Sequence, residues 1–198
     1  MNFLKIKNFL LVFLIIFSYL ISVVKTYAVD ITADRTISSS SDGDQYNIKT
    51  NNDIDVIVTN NSTLERNQKI FNVSASSLTG SSITIHLGSS VIAETNSIFS
   101  NGAELTITNT GTIEATNSKA INVSNSDGVS ITNNNNGVIK SNNNTILGDA
   151  GTGADNVTID NSGEIYTTAT GTESSAIVFA NNDTGNTITN NSGGEIYS

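Results

Sequence analysis

Beyond residue 28, apolar residues come in short alternations with polar ones, never in long runs. "LTITN" (105–109) sets Leu105 and Ile107 on one side and Thr106 on the other, and "VTIDN" (157–161) does the same with Val157 and Ile159. A period of two marks half-buried strands. No stretch after residue 28 keeps a helical period over a dozen positions. Between the strands stand clusters of Asn, Ser, Thr and Gly, which are turn formers.

The alternations repeat. "ITNTGTI" (107–113) returns as "ITNNNNGVI" (131–139), "IDNSGEI" (159–165) and "ITNNSGGEI" (188–196), so the first Ile advances by 24, 28 and 29 residues. A second phrase lies between the copies: "KIFNV" at Lys69, "SIFSN" at Ser97, "AINVS" at Ala120, "TILGD" at Thr145 and "AIVFA" at Ala176. One unit of two or three short strands has an apolar face that it cannot bury alone. Stacking the units in register buries it. The pattern therefore predicts an all-β chain folded as a parallel β-helix, a solenoid of about five coils from Asp53 onward with the last incomplete.

Within the phrase, Asn109, Asn133, Asn161 and Asn190 hold one position. They are expected to mark turns, since Asn tolerates left-handed backbone, and to stack as an amide ladder. Gly111, Gly137 and Gly163 are expected at turns that need positive φ. Unequal copy lengths are assigned to loops on one side of the coil. Residues 29–52 lack the phrase and are read as a strand-rich N-terminal cap, with 53–198 as the helix proper. At "GGEIYS" the chain stops within a coil, so a truncated segment or interrupted reading frame is expected.

Residues 1–28 change the picture of where this solenoid works. Lys5 and Lys7 precede the apolar run Phe9–Val24, and Thr26-Tyr27-Ala28 places small residues at the two cleavage-reading positions. This is the pattern of a secretory signal peptide cut after Ala28, and it implies the Sec export machinery as a partner. The run is short for a membrane span and is interrupted by Ser18 and Tyr19. Without the leader, six basic residues face 18 acidic ones, a net charge of −12. Such a surface repels nucleic acid and anionic membranes. With no cysteine in the chain, packing must hold an exported protein together without disulfides.

Chemistry-bearing residues are sparse, and no catalytic, cofactor-binding or metal-binding residue is assigned. His86, the only histidine, follows Ile85 in "ITIHLG", where Ile83, Ile85 and Leu87 take the inner face and His86 the outer. "GTGADNVT" (151–158) matches one calcium β-roll repeat, but such sites need tandem copies, so it reads as a glycine-rich loop. "SDGDQY" (41–46) reads as a turn, lacking the alternating ligands of a calcium loop. Glu164 and Glu195 share one phrase position, with Tyr166 and Tyr197 beside them. Stacked one coil apart, the carboxylates come near the separation of a retaining glycosidase pair, about 5–5.5 Å. The simpler reading is a solvated face with an aromatic ladder.

The leader, "ITADRTISSSSDG" and the coils "TITNTGTIEA" and "VTIDNSGEIY" together resemble the beginning of an autotransporter passenger, the type V secreted proteins of Gram-negative bacteria. The resemblance covers essentially the whole chain. It rests on repeats, so it speaks to architecture more than to activity. It implies a right-handed parallel β-helix displayed at the outer membrane or released, with no catalysis, serving as adhesin or stalk. Surface glycans or neighbouring cells would be its partners. It also implies a C-terminal β-barrel translocator, which this sequence does not contain; without one, a periplasmic location is expected. The other readings are a secreted carbohydrate-active β-helix, a lyase or hydrolase, and a nonfunctional truncated gene product.

Overall fold

The computed structural model describes residues 28–198, apart from 50–51, 60, 75–77, 103, 149–152 and 171–173. The expected leader thus lies outside the described residues, except for Ala28, which opens the first strand. No helix occurs among the described residues.

Strands follow one another in threes around a coil. The first rung is β1 (Ala28–Asp30), β2 (Arg35–Ile37) and β3 (Ser41–Asp42), and the second is β4 (Gln45–Ile48), β5 (Asp55–Val58) and β6 (Thr63–Arg66). Next come β7 (Phe71–Val73), β8 (Ser81–Ile85) and β9 (Ser90–Ala93), then β10 (Ile98–Ser100), β11 (Leu105–Asn109) and β12 (Thr112–Ala115). The Asn-rich rungs are β13 (Ile121–Asn122), β14 (Ser130–Asn133) and β15 (Val138–Ser141), followed by β16 (Ile146–Leu147), β17 (Thr158–Asn161) and β18 (Glu164–Thr167). The last is β19 (Ile177–Val178), β20 (Thr187–Asn190) and β21 (Glu195–Tyr197).

Every third strand pairs in parallel, which makes three seven-stranded sheets. The first runs from β1 to β19, the second from β2 to β20 and the third from β3 to β21. From Asp53 onward the chain makes five full turns, β5 to β19, and adds β20 and β21. The segment read as a cap, 29–52, supplies β1–β4 to the same three sheets.

Three columns of side chains, one on each sheet, run through the core. On the second sheet, Val56, Ile83, Ile107, Ile131, Ile159 and Ile188 lie in register. On the third, the column is Leu64, Val91, Ile113, Ile139, Ile165 and Ile196. On the first, it is Tyr46, Phe71, Ile98, Ile121, Ile146 and Ile177. β-Branched side chains suit stacked pleats because their χ1 is already restricted. Each fully buried one stabilises by about 1.5–3 kcal/mol. At the last rung the cover ends, and Ile188 is 46% exposed where Ile159 is fully buried.

The corner between second and third sheets is the tightest. In the four upper rungs, each Asn that ends the second-sheet strand turns its amide inward. The Asn109 Nδ2 donates to Asn133 Oδ1 at 2.9 Å, Asn133 to Asn161 at 2.8 Å and Asn161 to Asn190 at 2.8 Å. The same nitrogens donate to the corner carbonyls of Gly111, Gly137, Gly163 and Gly194. Asn109, Asn133 and Asn161 are fully buried. Below them the column continues as Ile85 and Val58, with no amide to satisfy.

Two expectations about this corner need correction. Gly111, Gly137 and Gly163 do not sit at positive φ; that conformation falls to Gly43, Gly80, Gly88, Gly102, Gly128, Gly153, Gly185 and Gly193. The corner glycines are required by close approach. A Cβ on Gly163 would strike the carbonyl of Gly137 in the rung below and sit 2.5 Å from that of Asn134. One on Gly137 would strike its own rung's Asn133 Oδ1 and lie 2.7 Å from the Asn109 carbonyl. Likewise Asn109, Asn133, Asn161 and Asn190 are strand residues, and left-handed backbone occurs instead at Asp53, Asn61, Asn125 and Asn156. Length differences collect at the corner from first to second sheet, which grows from four residues at 101–104 to ten at 148–157, and in the nine-residue link 168–176.

Gly163→Ala should cost about 1–3 kcal/mol in urea unfolding, because the added methyl overpacks against fixed backbone. Gly193→Ala, with positive φ but open space around the new Cβ, should cost about 1–2 kcal/mol through the backbone alone. Relief by a neighbouring truncation is then impossible for Gly193 and for Gly163 alike, whereas Gly137→Ala should be partly rescued by Asn133→Ala. Asn161→Ala breaks the ladder, taking from Asn133 its cross-rung acceptor and from Asn190 Oδ1 its donor. It should cost about 2–4 kcal/mol, against under about 1 kcal/mol for Asn190→Ala at the exposed end. Equal losses at the two positions would show that the ladder carries no stability.

Candidate functional site

Alternation sends the other half of each strand outward, so register turns single residues into rows. On the second sheet, one row is Ser82, Thr106, Ser130, Thr158 and Thr187. The adjacent row is Thr84, Thr108, Thr132, Asp160 and Thr189. Rungs are about 4.8 Å apart and alternate residues about 6.6 Å apart along a strand. The result is a sheet face of hydroxyls and methyls, half-buried at the lower rungs except at the exposed Thr106, and exposed at the upper. Asp160 is the one charge in these two rows.

The third sheet carries the charged and aromatic groups. One outer row is Glu65, Ile92, Glu114, Lys140, Tyr166 and Tyr197. Lys140 Nζ meets Glu114 Oε2 at 3.0 Å across rungs. The Tyr166 and Tyr197 rings stack at 4.8 Å between centroids and 4° between planes. The neighbouring row ends in Glu164 and Glu195, paired in register. Tyr197 Oη donates to Glu164 Oε2 at 3.4 Å. The Tyr197 hydroxyl is held above its ordinary range, by lost solvation first and then by the charge of Glu164.

Beside these glutamates lies a shallow cavity of about 270 Å³, open to solvent at the corner between second and third sheets. Its walls are Asn135, Asn136, Gly137, Val138, Gly163, Glu164, Gly193 and Glu195. It holds acceptors and amides but no cation and no aromatic face. Two carboxylates stacked with the strand spacing can bind polar groups. Both line the same open wall.

Other singled-out residues lie apart from this cavity. His86 is exposed, with its Nδ1 3.1 Å from Thr59 Oγ1, and sits three rungs below Glu164. Leu87, expected inside, is 63% exposed, because the strand ends at Ile85 and the chain turns at once. In the glycine-rich loop, Asp155 Oδ1 accepts from the Thr184 backbone N–H at 2.5 Å and its hydroxyl at 3.1 Å, so that carboxylate ties one rung to the next. The described residues bring no three His, Asp or Glu side chains together as metal ligands.

Sequence reasoning passed over two contacts. The Glu114–Lys140 pair was signalled by opposite charges at one phrase position in successive copies, "TIEA" and "VIKS". Lys69 sets its Nζ 3.5 Å from the centroid of the Phe99 ring, and burial lowers its pKa. That contact joins two copies of the second phrase at different positions, so only the coil geometry brings it about.

No protein-family model matches the chain, and comparison with curated proteins and with solved structures gives no match.

Proposed function

We propose that this chain is an exported, non-catalytic display segment, of the kind found in autotransporter passengers, acting as adhesin or stalk at a bacterial cell surface. The observation that carries the reading is the pair of in-register hydroxyl rows on the second sheet. They extend over five rungs, from Ser82 and Thr84 to Thr187 and Thr189. A surface of this kind contacts many shallow polar groups at once, and its strength grows with length. Uncharged glycans and neighbouring cells are the partners that fit, since beyond Lys140 the chain has seven acidic residues and no basic one. The sequence of residues 1–28 supports export through the Sec machinery. A translocator barrel would have to come from outside this sequence. Cell-surface or extracellular location follows with a translocator, and a periplasmic one without it.

The test is adhesion of the full chain to immobilised neutral glycans and to whole cells. Thr106→Lys and Thr132→Lys together should abolish binding while leaving the circular dichroism of the sheets unchanged. If the unaltered chain binds no better than a scrambled-sequence control, the adhesin reading fails and a stalk remains.

A carbohydrate-active enzyme is the second reading, favoured by the register of Glu164 with Glu195 beside the Tyr166–Tyr197 stack. Removing both carboxylates as Glu164→Gln and Glu195→Gln should leave glycan turnover at background, the same as the parent. A measurable parent rate that the double variant loses would establish the enzyme reading in place of the display reading.

A further inference from the structure

The sequence holds two Asn–Gly pairs, Asn101–Gly102 and Asn136–Gly137. Such pairs are chemically labile. The glycine backbone nitrogen attacks the asparagine Cγ, a new N–C bond forms, the Cγ–Nδ2 bond breaks, and ammonia leaves. Water then opens the cyclic imide to aspartate or isoaspartate. Glycine favours the step because no side chain shields the nitrogen. For the nitrogen to attack, its N–H must first be released from whatever accepts it.

Rung stacking treats the two pairs differently. Gly102 N–H donates to Ser126 Oγ at 3.2 Å, and Ser126, on the next rung, is buried and bonded in turn to Ser100 Oγ at 3.0 Å. Releasing Gly102 therefore breaks a contact that joins two rungs. The chemically related Asp–Gly pairs are tied in the same way, with Gly43 N–H on the Glu65 carbonyl at 2.9 Å and Gly128 N–H on that of Asp155 at 3.0 Å. Gly137 N–H instead donates within its own turn, to the Asn134 carbonyl at 2.7 Å. That bond lies within one turn and joins no two rungs, and local openings need far less free energy than separation of packed strands. Asn135 and Asn136 form the exposed tip of this turn.

We propose that Asn136 is a site of spontaneous deamidation in the folded protein, and that its conversion places a third carboxylate on the cavity wall that Glu164 and Glu195 already line. The modified chain gains one negative charge there and loses an amide from that wall.

The test is peptide mass mapping of the full chain incubated in mildly alkaline buffer, folded and in denaturant. In the folded protein Asn136 should convert severalfold faster than Asn101. In denaturant the two should convert at similar rates. Asn136→Gln should remove the acidic shift seen on isoelectric focusing, and Asn101→Gln should leave it. Equal rates at the two sites in the folded protein would mean that conversion follows global unfolding and would overturn the proposal. So would a folded Asn136 that stays intact while the denatured chain converts.

Discussion

The corner between the second and third sheets disciplines this molecule. A buried primary amide must find partners or cost about 1–3 kcal/mol for each group left unsatisfied. Asn133 finds them in the Gly137 carbonyl of its own rung and the Asn161 oxygen of the next. The second partner exists only if the rungs stack in one register. A slip by one residue would turn every strand inside out, and it would also take the cross-rung partner from three buried amides. The glycine column completes the arrangement, since the amide occupies the space where a Cβ on Gly137 would lie. Asparagine and glycine at this corner therefore form one structural unit. Lower in the coil the unit changes as a whole: Ile85 and Val58 replace the amides, and Ser89 and Ser62 stand at the glycine position.

Register at the corner decides what the outside presents. Because strands alternate, fixing the inner columns fixes the outer rows at the same time. The hydroxyl face of the second sheet, the Tyr166–Tyr197 stack and the Glu114–Lys140 pair are all consequences of the same alignment. None requires a dedicated loop. A surface made this way is broad and shallow, which suits contact over an area better than enclosure of a small substrate. Its acidic balance disfavours polyanions at that contact.

Much of this was readable before any coordinates. The Ile-x-Asn phrase carries the strand period, the inward column and the place of the corner together. Glu164 and Glu195 could be set one rung apart by counting phrase positions, and the structure pairs them in register. Where reading fell short, one residue type served two purposes. A glycine after a turn asparagine suggests positive φ, yet Gly111, Gly137 and Gly163 are there for lack of room. Only the rung beneath, with its carbonyls, distinguishes the two causes. Leu87 continues the alternation of "ITIHL" but falls after the strand has ended, so the period ran one step past the element.

What the sequence by itself determined is the repeating unit: strand, amide corner, strand, looser corner, strand. These follow from local alternation and turn chemistry, which act over a handful of residues. Tertiary structure alone decided which turns bend through left-handed backbone, which glycines answer to crowding, and which backbone N–H groups are held by a neighbouring rung. Those outcomes depend on contacts between residues some two dozen positions apart, and the distance between them in space is set only once the coil has closed.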